Sequence, residues 1–88
     1  MGYHFGMTQA ERMERLQVVR DTLSEYRAAR SFILKGGQSY SLSDNGMTRT
    51  VTQASLHEIN TQIAALEREE RALSASISGR TTGVYRAV

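Results

Sequence analysis

The sequence predicts an α+β fold, mostly α: two long antiparallel helices joined by a short β-hairpin, with an extended C-terminal tail. Three observations carry this expectation. Two long stretches repeat apolar residues every three or four positions, the period of a helix with one buried face. Between them, "KGGQSYSLSDNGMTRTVT" (Lys35 to Thr52) holds two alternating segments around an Asn-Gly pair. After Ser78-Gly79 the helical period stops. The chain therefore divides into an N-terminal extension (1–7), a helix–hairpin–helix domain (8–78) and a C-terminal docking tail (79–88).

The first seven residues, "MGYHFGM", match no regular element, and Met7 is a second candidate translation start. His4 has no second metal donor nearby, so a metal site is not expected. The first helix opens at Thr8. Thr8-Gln9-Ala10-Glu11 fits a capping box, in which hydroxyl and carboxylate each satisfy an orphan backbone N–H. Met13, Leu16, Val19, Leu23, Tyr26 and Ile33 form one apolar stripe, with Ala29 or Arg30 in the gap. Glu11 and Arg15 are spaced for an i,i+4 pair. Val18, Phe32 and Leu34 fall off the stripe, as either a widened face near the hairpin or a contact for another subunit.

Gly36 and Gly37 stop this helix, because glycine accepts the left-handed cap conformation. Gln38 to Ser43 alternates like a half-buried strand, Asp44-Asn45-Gly46 turns, and Met47 to Val51 returns. Arg49 is expected to be exposed near the tip, free to meet a partner or the DNA channel. Thr52 or Ser55 caps the second helix. Its seam is Leu56, Ile59, Ile63, Leu66, Leu73 and Ile77, with Glu70 in the one slot that should be apolar. Glu70 either faces solvent or pairs with a basic group of another chain, and "EREER" reads as a solvated face with pairs such as Glu67 to Arg71. His57 is expected at the surface.

The tail "RTTGVYRAV" carries Val84, Tyr85 and Val88 with Arg80 and Arg86 between and beside them. Together with Tyr3 and Phe5, these are aromatic and aliphatic groups outside the helical unit, suited to anchor in a partner's pockets. The tail is expected to be flexible alone and ordered on a partner, with its arginines pairing at a rim.

Composition narrows the function. The chain has 88 residues, no Cys and no Pro, and a net charge of +2. Small single domains often depend on partners or oligomers. The lack of Cys excludes thiol nucleophiles and disulfides. No stretch has the length and apolarity of a membrane span. Charge is segregated: residues 26–49 carry net +3 and residues 79–88 net +2, while residues 1–25 carry −1 and 50–78 carry −2. His4 and His57 have no spaced Ser and Asp partners, and Gly36-Gly37 lacks the Lys-Ser/Thr of a phosphate loop. A non-enzymatic protein without cofactor or metal is the expectation.

"MTQAERMERLQ" opening the first helix, a hairpin after a glycine stop, and "SLHEINTQIAALE" opening the second together resemble the gpW family of phage head–tail joining proteins. "IAALE" at Ile63 to Glu67 is the most persuasive part, and Arg80, Gly83 and Val84-Tyr85 match the family's basic, glycine-containing, aromatic-aliphatic ending. Helices and tail are longer here than in short family members. The resemblance implies two antiparallel helices with one hairpin. It also implies a structural virion protein, assembled in the host cytoplasm, that acts as a head–tail connector adaptor in the neck of a phage or phage-like particle. Copies would bind the portal protein after DNA packaging, form a ring (a dodecamer) with adjacent copies, and present a platform to the next neck, stopper or tail protein. DNA would be met only in passage through the channel, and no membrane would be involved. The partner-binding residues implied are Val84, Tyr85 and Val88; Arg80 and Arg86 are the rim candidates, and Arg49 a contact from the hairpin. The alternative from another class is a small nucleic-acid-binding or regulatory helical module using Arg27, Arg30, Lys35 and Arg49.

Overall fold

The structure is a computed structural model that describes the backbone of residues 7–86 and the side chains of residues 7–78. The order of elements is α1 (Gln9–Leu34), β1 (Ser39–Asp44), β2 (Met47–Thr52), a single 3-10 turn (Gln53–Ser55) and α2 (Leu56–Arg86).

Local chemistry sets the limits of α1. The Glu11 N–H donates to Thr8 Oγ1 at 3.0 Å, and the Thr8 N–H donates to Glu11 Oε1 at 2.9 Å, which completes the capping box. At the other end the Gly37 N–H donates to the Phe32 carbonyl at 2.9 Å and the Gly36 N–H to the Ile33 carbonyl at 3.0 Å. With Gly36 at φ 106°, this is the Schellman arrangement, open to glycine because a Cβ resists that backbone.

β1 and β2 pair antiparallel, from Ser39 opposite Thr52 to Asp44 opposite Met47. Asn45 at φ 55° and Gly46 at φ 83° make the two-residue turn, whose twist matches that of the strands. Leu42 and Val51 lie on the inner face and are buried; Tyr40 is half-buried and leans against Phe32, with ring centroids 5.7 Å apart. The Phe32 ring lies so close over Gly37 that an added Cβ there would overlap it. α2 opens through the 3-10 turn, where Ser55 Oγ accepts from the Thr52 N–H at 3.1 Å. Ser55 thus serves as the third residue of a box begun by Thr52.

α1 and α2 run antiparallel: Arg15 meets Glu69 and Arg30 meets Asn60, while Gln9 Nε2 donates to the Ile77 carbonyl at 3.3 Å. The core has two parts. Under the hairpin, Leu23, Tyr26, Ala29, Leu42, Val51, Ile59 and Ile63 are buried together. Farther along the helix pair lie Leu16, Val19 and Leu73, and Leu66 packs against both groups. Each fully buried Leu or Ile contributes roughly 1.5–3 kcal/mol relative to exposure.

Several expectations are corrected. The fold class as expected, with an extended C-terminal tail, is not what the structure shows: two helices are joined by a hairpin, and α2 runs on through Gly79 and Gly83 to Arg86. A glycine inside a helix costs only about 1 kcal/mol relative to alanine. It ends a helix when the chain also leaves helical geometry, as at Gly36, and no proline follows Gly79 to force that. Met13 is 56% exposed and does not belong to the buried stripe. The straight helix drifts against a strict seven-residue repeat, so one turn before Leu16 the inner face is held by Arg12, whose guanidinium donates to the Met7 carbonyl at 2.7 Å. Ala29, not Arg30, fills the gap in that stripe.

Candidate functional site

Parity along β2 decides the position of Arg49. Side chains alternate across a strand, so a residue two before the buried Val51 shares its inward face. Arg49 is therefore half-buried and turned toward the helices, which corrects the expectation of an exposed contact at the hairpin tip. Its guanidinium donates through one nitrogen to Tyr26 Oη at 2.9 Å and through the other to Glu58 Oε1 at 2.8 Å. Its carbon centre lies 5.9 Å from the centroid of the Tyr26 ring, within reach of the ring's electrostatic attraction for a cation. Tyr26 Oη in turn donates to Asp44 Oδ2 at 2.7 Å. One residue from each of α1, β1, β2 and α2 is thus joined in a single chain of hydrogen bonds.

The electrostatics follow from this geometry. Burial pushes the Tyr26 phenol above its ordinary pKa, and its bond to Asp44 adds to the rise, while Arg49 opposes it. Arg49 is raised chiefly by its bond to Tyr26. The network fixes the hairpin on the helices, and its hydrogen bonds are made between its own members. Its chemistry is that of a clamp.

The acids of "EREER" are also committed within the chain. Glu69 receives both Arg15 Nε at 2.8 Å and an Arg15 terminal nitrogen at 3.2 Å. Glu70 receives Arg20 at 3.0 Å, and Glu67 receives Arg27 at 2.8 Å. The Arg27 hydrogen bond holds the Glu67 carboxyl below its ordinary pKa. This replaces three expectations at once. Glu70 neither stands free in solvent nor waits for another chain, Glu67 makes its direct ion pair with Arg27 while Arg71 attracts it only at longer range, and Arg15 reaches α2 while Glu11 serves the cap. Of the four cations assigned to the rival nucleic-acid reading, Arg27 and Arg49 are ion-paired and Arg30 donates to Asn60 at 3.2 Å.

The proposed docking residues Arg80, Val84, Tyr85 and Arg86 fall in the last turns of α2, where the backbone alone is described. Val88 lies outside the described residues, as do Tyr3, His4 and Phe5. His57 is exposed. Among the described residues no cluster of His, Asp or Glu is arranged to hold a metal ion, and no helix is long and apolar enough to cross a membrane. An open recess of about 250 Å³ lies between α1 and the hairpin turn, lined by Val18, Asp21, Thr22, Glu25, Ser43 and Asn45. Val18 also borders a second open recess with Met7, Glu11, Glu14 and Arg15. Together they mark one side of α1 as uncovered and acidic.

A family model described as a family of unknown function (DUF6148) matches residues 7–88. The chain belongs to this family. No curated protein and no solved structure matches it. In this DUF6148 member the match takes in α1, the hairpin and α2 whole, so the Arg49 clamp and the interhelical pairs all lie within the family's span.

Proposed function

We propose that the protein is a structural virion component: a head–tail connector adaptor that binds the portal vertex as a ring and offers the next neck or tail protein its platform. The observation that carries this reading is the architecture, two antiparallel helices closed by one hairpin clamped across both. That is the arrangement of the phage joining proteins the sequence resembles. The rival reading as a nucleic-acid-binding module is weakened by the ion pairs of Arg27 and Arg49 inside the chain, which reduce the charge on offer to phosphates. The partners in this reading are the portal protein, adjacent copies of the chain and the downstream neck protein, and Arg80, Val84, Tyr85, Arg86 and Val88 are the residues offered to them.

The test is binding of purified chain to isolated portal rings, beside complementation of particles that lack it. Stoichiometric binding, and DNA-filled heads that accumulate next to finished tails when the protein is missing, are the expected results. Absence of portal binding together with salt-sensitive binding to DNA would overturn the reading in favour of its rival.

A further inference from the structure

Two faces of the helix pair have no partner in the described chain, and they carry opposite charge. On α1, Glu14, Val18 and Asp21 recur at spacings of four and three, which aligns them in one row. All three are exposed, and Val18 at 37% is an exposed large apolar residue at the centre of the row. Glu11 and Glu25 extend the row at either end; Glu11 is engaged in the helix cap and Glu25 accepts from the Ser43 N–H at 3.3 Å. None of these carboxylates is ion-paired among the described residues. On α2, Ala64, Arg68, Arg71 and Ala75 recur at spacings of four, three and four on the side away from the core, all exposed. Neither Arg68 nor Arg71 is ion-paired among the described residues.

The contrast with the opposite flank of α1 gives this weight. There Arg20 and Arg27 are held by Glu70 and Glu67 across the helix pair. The chain thus matches charge with care where helices meet inside it, and leaves one acidic and one basic row outward.

We propose that the Glu14–Val18–Asp21 row of one copy seats the Ala64–Arg68–Arg71–Ala75 row of a second copy, head to tail. Both rows have the alternating spacing by which helices interlock. The alanines let the backbones approach, so that Val18 is covered while the carboxylates meet the guanidinium groups. The two rows are different surfaces, so the contact is heterologous: every copy added leaves one row of each kind free, and a suitable rotation closes a ring. This deepens the adaptor reading and rests on it for closure on a portal; the contact itself stands on the two rows alone.

Exposed ion pairs are individually weak, so the contact is tested at the concentration a ring would impose, roughly 1 mM. Sedimentation of the full chain at low salt should show association that continues beyond a dimer and fades as salt is added. Two variants separate the faces: Glu14→Lys with Asp21→Lys, and Arg68→Glu with Arg71→Glu. Each alone should sediment as a monomer while keeping a folded circular dichroism spectrum, since none of the four side chains is buried. Their equimolar mixture should associate again, because each reversed row then meets its complement. A wild-type chain that stays monomeric or stops at a dimer overturns the proposal. So does a folded variant that associates alone, or a mixture that does not recover. Where a variant is unfolded, Arg68→Glu alone against Asp21→Lys alone gives the same readout. Recovery in the mixture without any portal binding would keep this contact and remove the neck reading. Portal binding by a wild-type chain that stays monomeric, with no recovery in the mixture, would do the reverse.

Discussion

Tyr26 and Arg49 show how one buried hydroxyl organises the hairpin. The phenol donates to Asp44 and accepts from Arg49, so Tyr26→Phe removes two hydrogen bonds and leaves a half-buried guanidinium short of a partner. A loss of about 1–2 kcal/mol is expected in chemical denaturation. A Tyr26→Phe protein as stable as wild type would show the clamp to be idle. The raised phenol also fixes a pH dependence. A group whose folded pKa is raised contributes stability that is present below its unfolded pKa and lost as pH rises through the folded one. Stability should therefore fall in the alkaline range, above the ordinary tyrosine pKa of about 10, and less steeply in Tyr26→Phe. At the turn, Gly46 sits at φ 83° with open space where a Cβ would go, so substitution costs backbone strain and not a clash. Gly46→Val should lower stability by about 1–2 kcal/mol or more, read as a drop in Tm. An unchanged Tm would argue against the two-residue turn.

Elements differ in how much of them the sequence reveals. The Thr8–Glu11 box, the glycine stop and the Asn-Gly turn are each decided within a few residues, and the chain writes them plainly. The partners of Arg15, Arg20, Arg27 and Arg49 are decided by which helix or strand lies opposite, 9 to 54 positions away; local spacing suggested Glu11 for Arg15 and Arg71 for Glu67, and it offered nothing for the others. The inward turn of Arg49 was recoverable, since it has the parity of Val51. Gly79 misled because a glycine signals a helix end only with the accompanying cap bonds, and those form at Gly36 and Gly37. Glu67 tests the interhelical pairs directly. Its carboxyl is held down by Arg27, so its contribution is present above the unfolded carboxylate pKa and lost as pH falls through the lower folded value. In a titration followed by NMR, Arg27→Ala should return Glu67 toward the ordinary carboxylate range. An unmoved titration would show that the pair does not form in solution.

At the scale of the whole molecule, the question is whether one chain is complete before it meets a partner. Both parts of the core are closed within the chain, and the slot held by Glu70 is satisfied by Arg20. Among the described residues nothing in that core requires a second subunit, so the isolated protein is expected to be monomeric at micromolar concentration. The residues proposed to meet the portal lie at the far end of α2, beyond Leu73 and Ile77, the last core contacts among the described side chains. Deleting residues 83–88 should therefore leave the denaturation midpoint nearly unchanged while abolishing attachment to the portal. Weak contacts become sufficient when many act together: a portal ring that holds each copy by its own C-terminal end raises the local concentration of the side-by-side rows to the millimolar range or so. Binding of wild-type chain to portal rings should then be cooperative, steeper than independent sites allow, and it should vanish with the truncation. Sedimentation of the free chain, titration onto portal rings and circular dichroism of the truncated chain measure the three parts separately. A stable ring formed without portal would reverse the proposed order of assembly. A truncated chain that unfolds would make the C-terminal turns part of the core, and one that folds and still joins heads to tails would move the docking site elsewhere on the molecule.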